Sequence, residues 1–146
     1  MTLRLKVYSD GASRGNPGPS AIAFKIVTED GKTLREDSKY LGIKTNNQAE
    51  YQSLIYALKS ASDFTSKETI FHMDSELVVK QLTGEYRVRT PHLKTLWKSV
   101  QRLKQKLPNV SFKHVPRTET HIQEVDSLAN KILDENLRRK DAFNSQ

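Results

Sequence analysis

The sequence predicts an α/β protein: one mixed sheet, opened by an antiparallel meander and completed by strands alternating with helices, with the helices packed on it. Three observations carry this prediction. Three strand-like segments follow one another in the first part of the chain, and Glu29-Asp30-Gly31-Lys32 between two of them is a hairpin signal. Beyond them, helical stripes alternate with short β-rich runs. At 146 residues the chain reads as one domain, long enough for a sizeable core.

Each element has its own signal. Leu3, Leu5 and Val7 alternate with Arg4, Lys6 and Tyr8, a half-buried strand that ends at Asp10 before the turn-rich Gly11 to Gly18. The same parity sends Asp10 to the side opposite the leucines. A second strand spans Ala21 to Thr28, with Ile22, Phe24 and Ile26 on one face, and a third runs from Thr33 to Leu41. A helix from Asn46 to Phe64 carries the stripe Glu50, Leu54, Ala57, Leu58 and Ala61, so an acid heads its core-facing side. A fourth strand, Thr69 to Met73, is closed by Asp74, and a short helix from Ser75 to Leu82 stops at Gly84. Thr90-Pro91 opens another helix, with a cap residue followed by a first-turn proline. That helix ends near Leu107-Pro108, and Leu93, Leu96, Trp97, Val100, Leu103 and Leu107 form its core stripe. A fifth strand, Val110 to Val115, leads through a polar loop to a last helix, Gln123 to Arg139, whose stripe of Asp126, Ala129, Asn130, Leu133 and Leu137 again begins with an acid. Residues 1–140 are then the domain, and Asp141 to Gln146 is expected to be a disordered tail.

Charge and composition narrow the function classes. The net charge of +7 favours a polyanionic partner, nucleic acid before membrane. The absence of cysteine excludes disulfides, thiolate metal sites and cysteine nucleophiles, and is compatible with a cytoplasmic location. Met1 leads directly into a short charged strand, so no signal peptide is expected, and no apolar run approaches the roughly 20 residues of a membrane helix. Nothing indicates a protein partner, and a monomer is the default.

The four acids Asp10, Glu50, Asp74 and Asp126 all fall at element ends. Each alone has a structural reading. A first-turn acid complements the helix dipole, Asp74 suits a helix cap, and Asp10 suits an Asx-turn. Together they argue for one metal site. Burying a lone carboxylate costs several kcal/mol, converging carboxylates repel one another, and a divalent cation relieves both. Hard oxygen ligands select Mg²⁺ or Mn²⁺ over Zn²⁺. His72 with Asp74 makes no zinc pair, because no third nitrogen ligand is spaced to join them.

Four segments resemble the signatures of type 1 ribonuclease H. They are Tyr8-Ser9-Asp10-Gly11-Ala12-Ser13-Arg14-Gly15-Asn16-Pro17-Gly18, Thr45-Asn46-Asn47-Gln48-Ala49-Glu50, Met73-Asp74-Ser75 and Val125-Asp126-Ser127-Leu128-Ala129-Asn130. Their order and spacing fit from Leu3 to about Arg138. The resemblance implies a ribonuclease H-like fold, a five-stranded mixed sheet flanked by helices, and an endonuclease that cleaves the RNA strand of RNA/DNA hybrids. It implies two Mg²⁺ ions, with Mn²⁺ as the alternative, bridged by Asp10. Glu50 and Asp74 would complete one ion's ligand set and Asp126 the other's, and hydrolysis would leave 5′-phosphate and 3′-hydroxyl ends. Asn16, Thr45, Asn46, Asn47 and Gln48 match positions that contact hybrid sugars and phosphates, although turn making and helix capping, for which Asn46 is suited, are their structural alternatives. Ser75 and Lys44 join them as candidates. Lys94, Lys98, Arg102, Arg87 and Arg89 offer further positive charge to a phosphate backbone.

Two segments depart from the family pattern. Gly84 to Thr90 is too short for the basic, tryptophan-containing protrusion many members carry there. The loop before the last helix, where many members place a mobile histidine, reads His114-Val115-Pro116-Arg117-Thr118-Glu119-Thr120-His121. His121 and Arg117 are the two candidates for that role, and His114 reads as structural. The competing functions are a non-catalytic hybrid- or duplex-binding module and a DNA-processing two-metal nuclease of the same fold.

Overall fold

The computed structural model describes residues 2–144. Nine elements follow in order: β1 (Thr2–Ser13), β2 (Gly18–Thr28), β3 (Thr33–Lys44), α1 (Asn46–Ala61), β4 (Ser66–Met73), α2 (Glu76–Leu82), α3 (Pro91–Lys104), β5 (Val110–His114) and α4 (Thr120–Asn144). The five strands make one sheet in the order β3-β2-β1-β4-β5. β1, β2 and β3 pair antiparallel, while β4 runs parallel to β1 and β5 parallel to β4. This is the expected mixed sheet, with β1 at its centre.

The alternation within the strands supplies two cores. On one face Leu5, Val7, Phe24, Ile26, Phe71 and Met73 pack against Leu54 and Leu58 of α1, Val78 of α2 and Val100 of α3. On the other, Tyr8, Ala21, Ala23 and Val27 meet Ile122, Val125, Ala129 and Leu133 of α4. The small alanines on that face let α4 lie close. Trp97 is a core residue: it packs against the first cluster, and its indole N–H donates to the Gln81 carbonyl at 3.2 Å.

Several boundaries move, each for a physical reason. β1 continues three residues past Asp10, because its ladder with β2 persists to the pair Ser13–Ser20. Asp10 therefore lies inside the strand, opposite Ala23. Thr45, rather than Asn46, caps α1. The Gln48 backbone N–H donates to Thr45 Oγ1 at 3.1 Å and the Thr45 N–H to Gln48 Oε1 at 2.9 Å, a reciprocal capping box. α1 ends at Ala61 and α3 at Lys104, each followed by looser turn bonds where longer helices were expected. α4 begins at Thr120, because the Glu119 carboxylate accepts the Ile122 N–H at 2.8 Å. It runs on through Asp141 to Asn144, since no glycine or proline stops it, so the expected disordered tail is helical as far as Asn144. Ser145 and Gln146 lie outside the described residues.

Candidate functional site

The parallel pairing of β1 with β4 builds the site. The last register pair is Tyr8–His72. Two residues beyond each partner lie Asp10 and Asp74, on the same parity and side by side. α1 then delivers Glu50. The backbone of Gly11 passes so near this helix that a Cβ there would lie 2.5 Å from the carbonyl carbon of Ala49. Only glycine permits that approach, and through it the Gly11 N–H donates to Glu50 Oε1 at 2.8 Å.

Asp10, Glu50 and Asp74 each offer a carboxylate oxygen, and these oxygens lie within 4.8 Å of one another. Asp10 is 4% exposed and Glu50 8%. Burial is the first cause that pushes the Asp10 carboxyl up; the negative charge of Glu50 is next, with Asp74 and Asp126 adding to it. Burial also raises Glu50, opposed by its hydrogen bonds with Asp10 and the Gly11 N–H and helped by the charge of Asp74. Glu50 Oε2 is buried with no hydrogen-bond partner. A buried acceptor left unpaired within a repelling carboxylate group is an unfavourable arrangement in a protein standing alone. All-oxygen donors of this kind suit a hard divalent cation, so the residues fit the metal they are expected to hold.

The cleft over this trio, about 430 Å³, is lined by Asp10, Gly11, Asn46, Asn47, Glu50, Asp74, Ser75, Arg117, Asp126 and Asn130, among others. The four acids thus meet in one place. Asp126 is nevertheless exposed, in the second turn of α4, and does not head that helix's buried stripe, which is Ile122, Val125, Ala129 and Leu133. Ile122 and Val125 head the buried side together with Ala129 and Leu133, which leaves Asp126 at the margin of that stripe. Ser75 caps α2, its hydroxyl accepting the Val78 N–H at 3.3 Å, and still borders the cleft.

Of the two loop candidates, Arg117 reaches the site. Its Nε is 3.6 Å from Asp74 Oδ2, and its side chain is 92% exposed, so it is free to swing. His121 does not. It lies in the first turn of α4 rather than in the loop, outside the cleft lining, with its ring packed on Tyr8 at 4.5 Å. Tyr8 also stacks on His72 at 4.4 Å, and His72 Nδ1 bonds to the Val7 carbonyl at 3.1 Å. His72 is thus held by packing and a backbone bond, and His121 by its ring contact with Tyr8, its Nδ1 buried without a hydrogen-bond partner.

The amide side chains form the cleft's rim. Asn16 Oδ1 accepts the Asn46 N–H at 2.9 Å, joining the β1–β2 turn to the start of α1. Asn16, Thr45, Asn47 and Gln48 line a neighbouring recess with Thr90 and His92, and Lys44 lies in a further one with Gln48, Gln52 and His92. Sequence reasoning missed Asn130 as a cleft residue, having placed it in the core stripe. Its spacing of four from Asp126 was the available signal. It also missed Thr90 and His92, which are distant in sequence and carry no motif.

A sheet of this order, with carboxylates gathered where the pairing of its two central parallel strands ends, defines a ribonuclease H-like fold with an acidic centre. The family described as reverse transcriptase-like matches residues 8–132. Ribonuclease HI of Halobacterium salinarum is 42% identical over 132 residues, covering 90% of this chain and 65% of that protein. The chain belongs to the type 1 ribonuclease H family, whose members are divalent-metal-dependent hydrolases. The crystal structure of ribonuclease H1 from the same archaeon superposes with a TM-score of 0.86, covering 90% of this chain and 98% of that one. LC11 ribonuclease H1, solved in complex with an RNA/DNA hybrid, is 40% identical with a TM-score of 0.84 over 91% of this chain and 99% of its own. A bifunctional protein of Mycobacterium tuberculosis is 36% identical over 133 residues, 90% of this chain and 36% of that protein. The chain thus spans about two thirds of the halobacterial relative and about a third of the mycobacterial one. No helix among the described residues is long and apolar enough to cross a membrane.

Proposed function

We propose that this chain hydrolyses the RNA strand of RNA/DNA hybrids, using divalent cations held by Asp10, Glu50, Asp74 and Asp126. The observation that carries the proposal is the trio Asp10, Glu50 and Asp74, with its unpaired buried Glu50 oxygen, at the floor of an open polar cleft. When bound, a pair of such ions, Mg²⁺ with Mn²⁺ as the alternative, supplies an activated water and neutralises charge at the leaving oxygen, leaving 5′-phosphate and 3′-hydroxyl ends.

The chain's own residues do the rest. Asp10 and Glu50, fixed by strand and helix, need no reorganisation to accept positive charge. Asp74 is already drawn toward Arg117, whose exposed guanidinium can leave that carboxylate for a backbone phosphate. Asn16, Asn46, Asn47 and Gln48 present amides that both donate and accept, which suits a 2′-hydroxyl. Ser75 and Lys44 extend this contact surface. Arg117 takes the position of the loop cation, since His121 is packed away from the cleft.

The test is a labelled substrate panel of RNA/DNA hybrid, duplex DNA and duplex RNA, with Mg²⁺ or with EDTA. Cleavage of the hybrid's RNA strand in Mg²⁺, lost in EDTA and in Asp10→Asn, is the expected result. Binding without cleavage points to a non-catalytic module, and cutting confined to duplex DNA to a DNA-processing nuclease. Either outcome overturns the proposal.

A further inference from the structure

Asp126 is the one acid of the four that neither β1, β4 nor α1 supplies. It projects from α4, which packs on the opposite face of the sheet from α1. Its position relative to Asp10 therefore depends on how α4 lies against the rest of the site.

Arg14 ties that helix down. The residue opens the turn between β1 and β2, and its stem starts from a closed backbone. The Arg14 N–H donates to the Pro19 carbonyl at 2.8 Å, and a Cβ on Gly18 would lie 2.2 Å from the Arg14 carbonyl oxygen. From there Arg14 Nη2 donates to Asn130 Oδ1 at 3.0 Å and to Asp134 Oδ1 at 2.8 Å. Asn130 in turn donates from Nδ2 to the Asp126 carbonyl oxygen at 2.9 Å. Asp126, Asn130 and Asp134 are spaced by four, so they share one face of α4. The Asn130 amide is thus held at both ends, by Arg14 at its oxygen and by the backbone of Asp126 at its nitrogen. On the other side, the same turn reaches the first residue of α1 through Asn16. One short turn joins the helix that carries Asp126 to the helix that carries Glu50.

We propose that Arg14 is a positioning residue: through Asn130 it fixes the stretch of α4 that bears Asp126, and so sets that carboxylate against Asp10 for metal. This rests on the hydrolase reading above, which gives Asp126 its role. The bonds are at the surface, where ion pairs add little to stability. Arg14 therefore acts on the geometry of the site far more than on the folded state.

Arg14→Met and Arg14→Lys test this by Mn²⁺ titration calorimetry without substrate and by steady-state cleavage of a hybrid. Arg14→Met is expected to weaken Mn²⁺ binding and lower kcat by about threefold to fivefold each, the ceiling that surface bonds of this kind set. Its KM for hybrid should stay within about twofold, and its melting temperature within about 2 °C. Arg14→Lys, which keeps the charge on a stem one atom shorter, should recover part of both losses. An unchanged Mn²⁺ titration in Arg14→Met overturns the proposal. So does a raised KM with unchanged kcat, which makes Arg14 a substrate contact. Losses that track a lowered melting temperature and resist rescue by lysine overturn it as well, because they mark a purely structural role. The titration needs no substrate. If the wild type leaves hybrids intact, the hydrolase reading fails while the Mn²⁺ comparison still decides the role of Arg14.

Discussion

Asp10→Asn is expected to stabilise the metal-free protein at neutral pH while abolishing hydrolysis. Asp10 is 4% exposed, and burial followed by the charges of Glu50, Asp74 and Asp126 holds its carboxyl well above the usual range. An acid whose pKa rises on folding keeps its proton more tightly in the native state. Its destabilising effect is absent below the unfolded pKa near ~3.9 and grows as pH rises toward the folded value. With a folded pKa above neutrality, the cost at pH 7 is bounded by about 1.4 kcal/mol for each of about three pH units, or about 4 kcal/mol. Water in the open cleft screens part of this, and about half, ~2 kcal/mol, is the working figure. At roughly 2–4 °C per kcal/mol for a chain of this size, Asp10→Asn should melt about 4–8 °C higher than wild type at pH 7 in EDTA. At pH 5 the same arithmetic leaves about a third of that gap. Scanning calorimetry at both pH values measures it, and added Mg²⁺ should raise the wild type alone and narrow the difference. A variant that melts at or below the wild-type temperature in EDTA at pH 7 would refute the argument that burial and the neighbouring carboxylates make an ionised Asp10 costly in the fold.

Three further outcomes follow from the packing and the charge. Gly11→Ala places a methyl 2.5 Å from the Ala49 carbonyl carbon and should cost about 1–3 kcal/mol in urea denaturation, with loss of cleavage as α1 is pushed from β1. Tyr51→Phe removes the 2.6 Å hydrogen bond to Gln81 Oε1 between α1 and α2, leaves that oxygen buried and unpaired, and should cost about 1–3 kcal/mol without changing the metal dependence of cleavage. Hybrid binding by this chain of net charge +7, measured in EDTA by fluorescence anisotropy, should weaken with NaCl on a log–log line whose slope counts the phosphates contacted; a flat line would remove the phosphate-contact assignment.

The sequence made the sheet, its helices and all four acids legible, to different depths. Period-two alternation in Leu5 and Val7 and the stripe from Glu50 to Ala61 translate directly into burial, because both patterns are set by which face meets the core. The convergence of Asp10 with Asp74 was suggested by their places at element ends and sharpened by motif resemblance, but not their exact juxtaposition, since strand register is a tertiary property that neither segment encodes alone. The orientation of Asp126 was misread for a related reason. Glu119 starts α4 three residues early with its own carboxylate, which brings Ile122 into the helix, and Ile122 and Val125 rather than Asp126 head the buried stripe through Ala129 and Leu133. The same shift took His121 out of the loop and against Tyr8. Arg14 lay within a signature segment, but nothing signalled its pairing with α4, because its partners Asn130 and Asp134 lie more than a hundred residues away.

The bare α-carbon of Gly11 has a consequence for how the charged centre can respond. Surface acids that repel one another ease apart by rotating or drifting. Here strand and helix are pressed backbone to backbone, so neither side has slack to yield. The strain between Asp10 and Glu50 can be discharged only by admitting a proton or a cation, and admitting one should tighten the scaffold in place rather than move it.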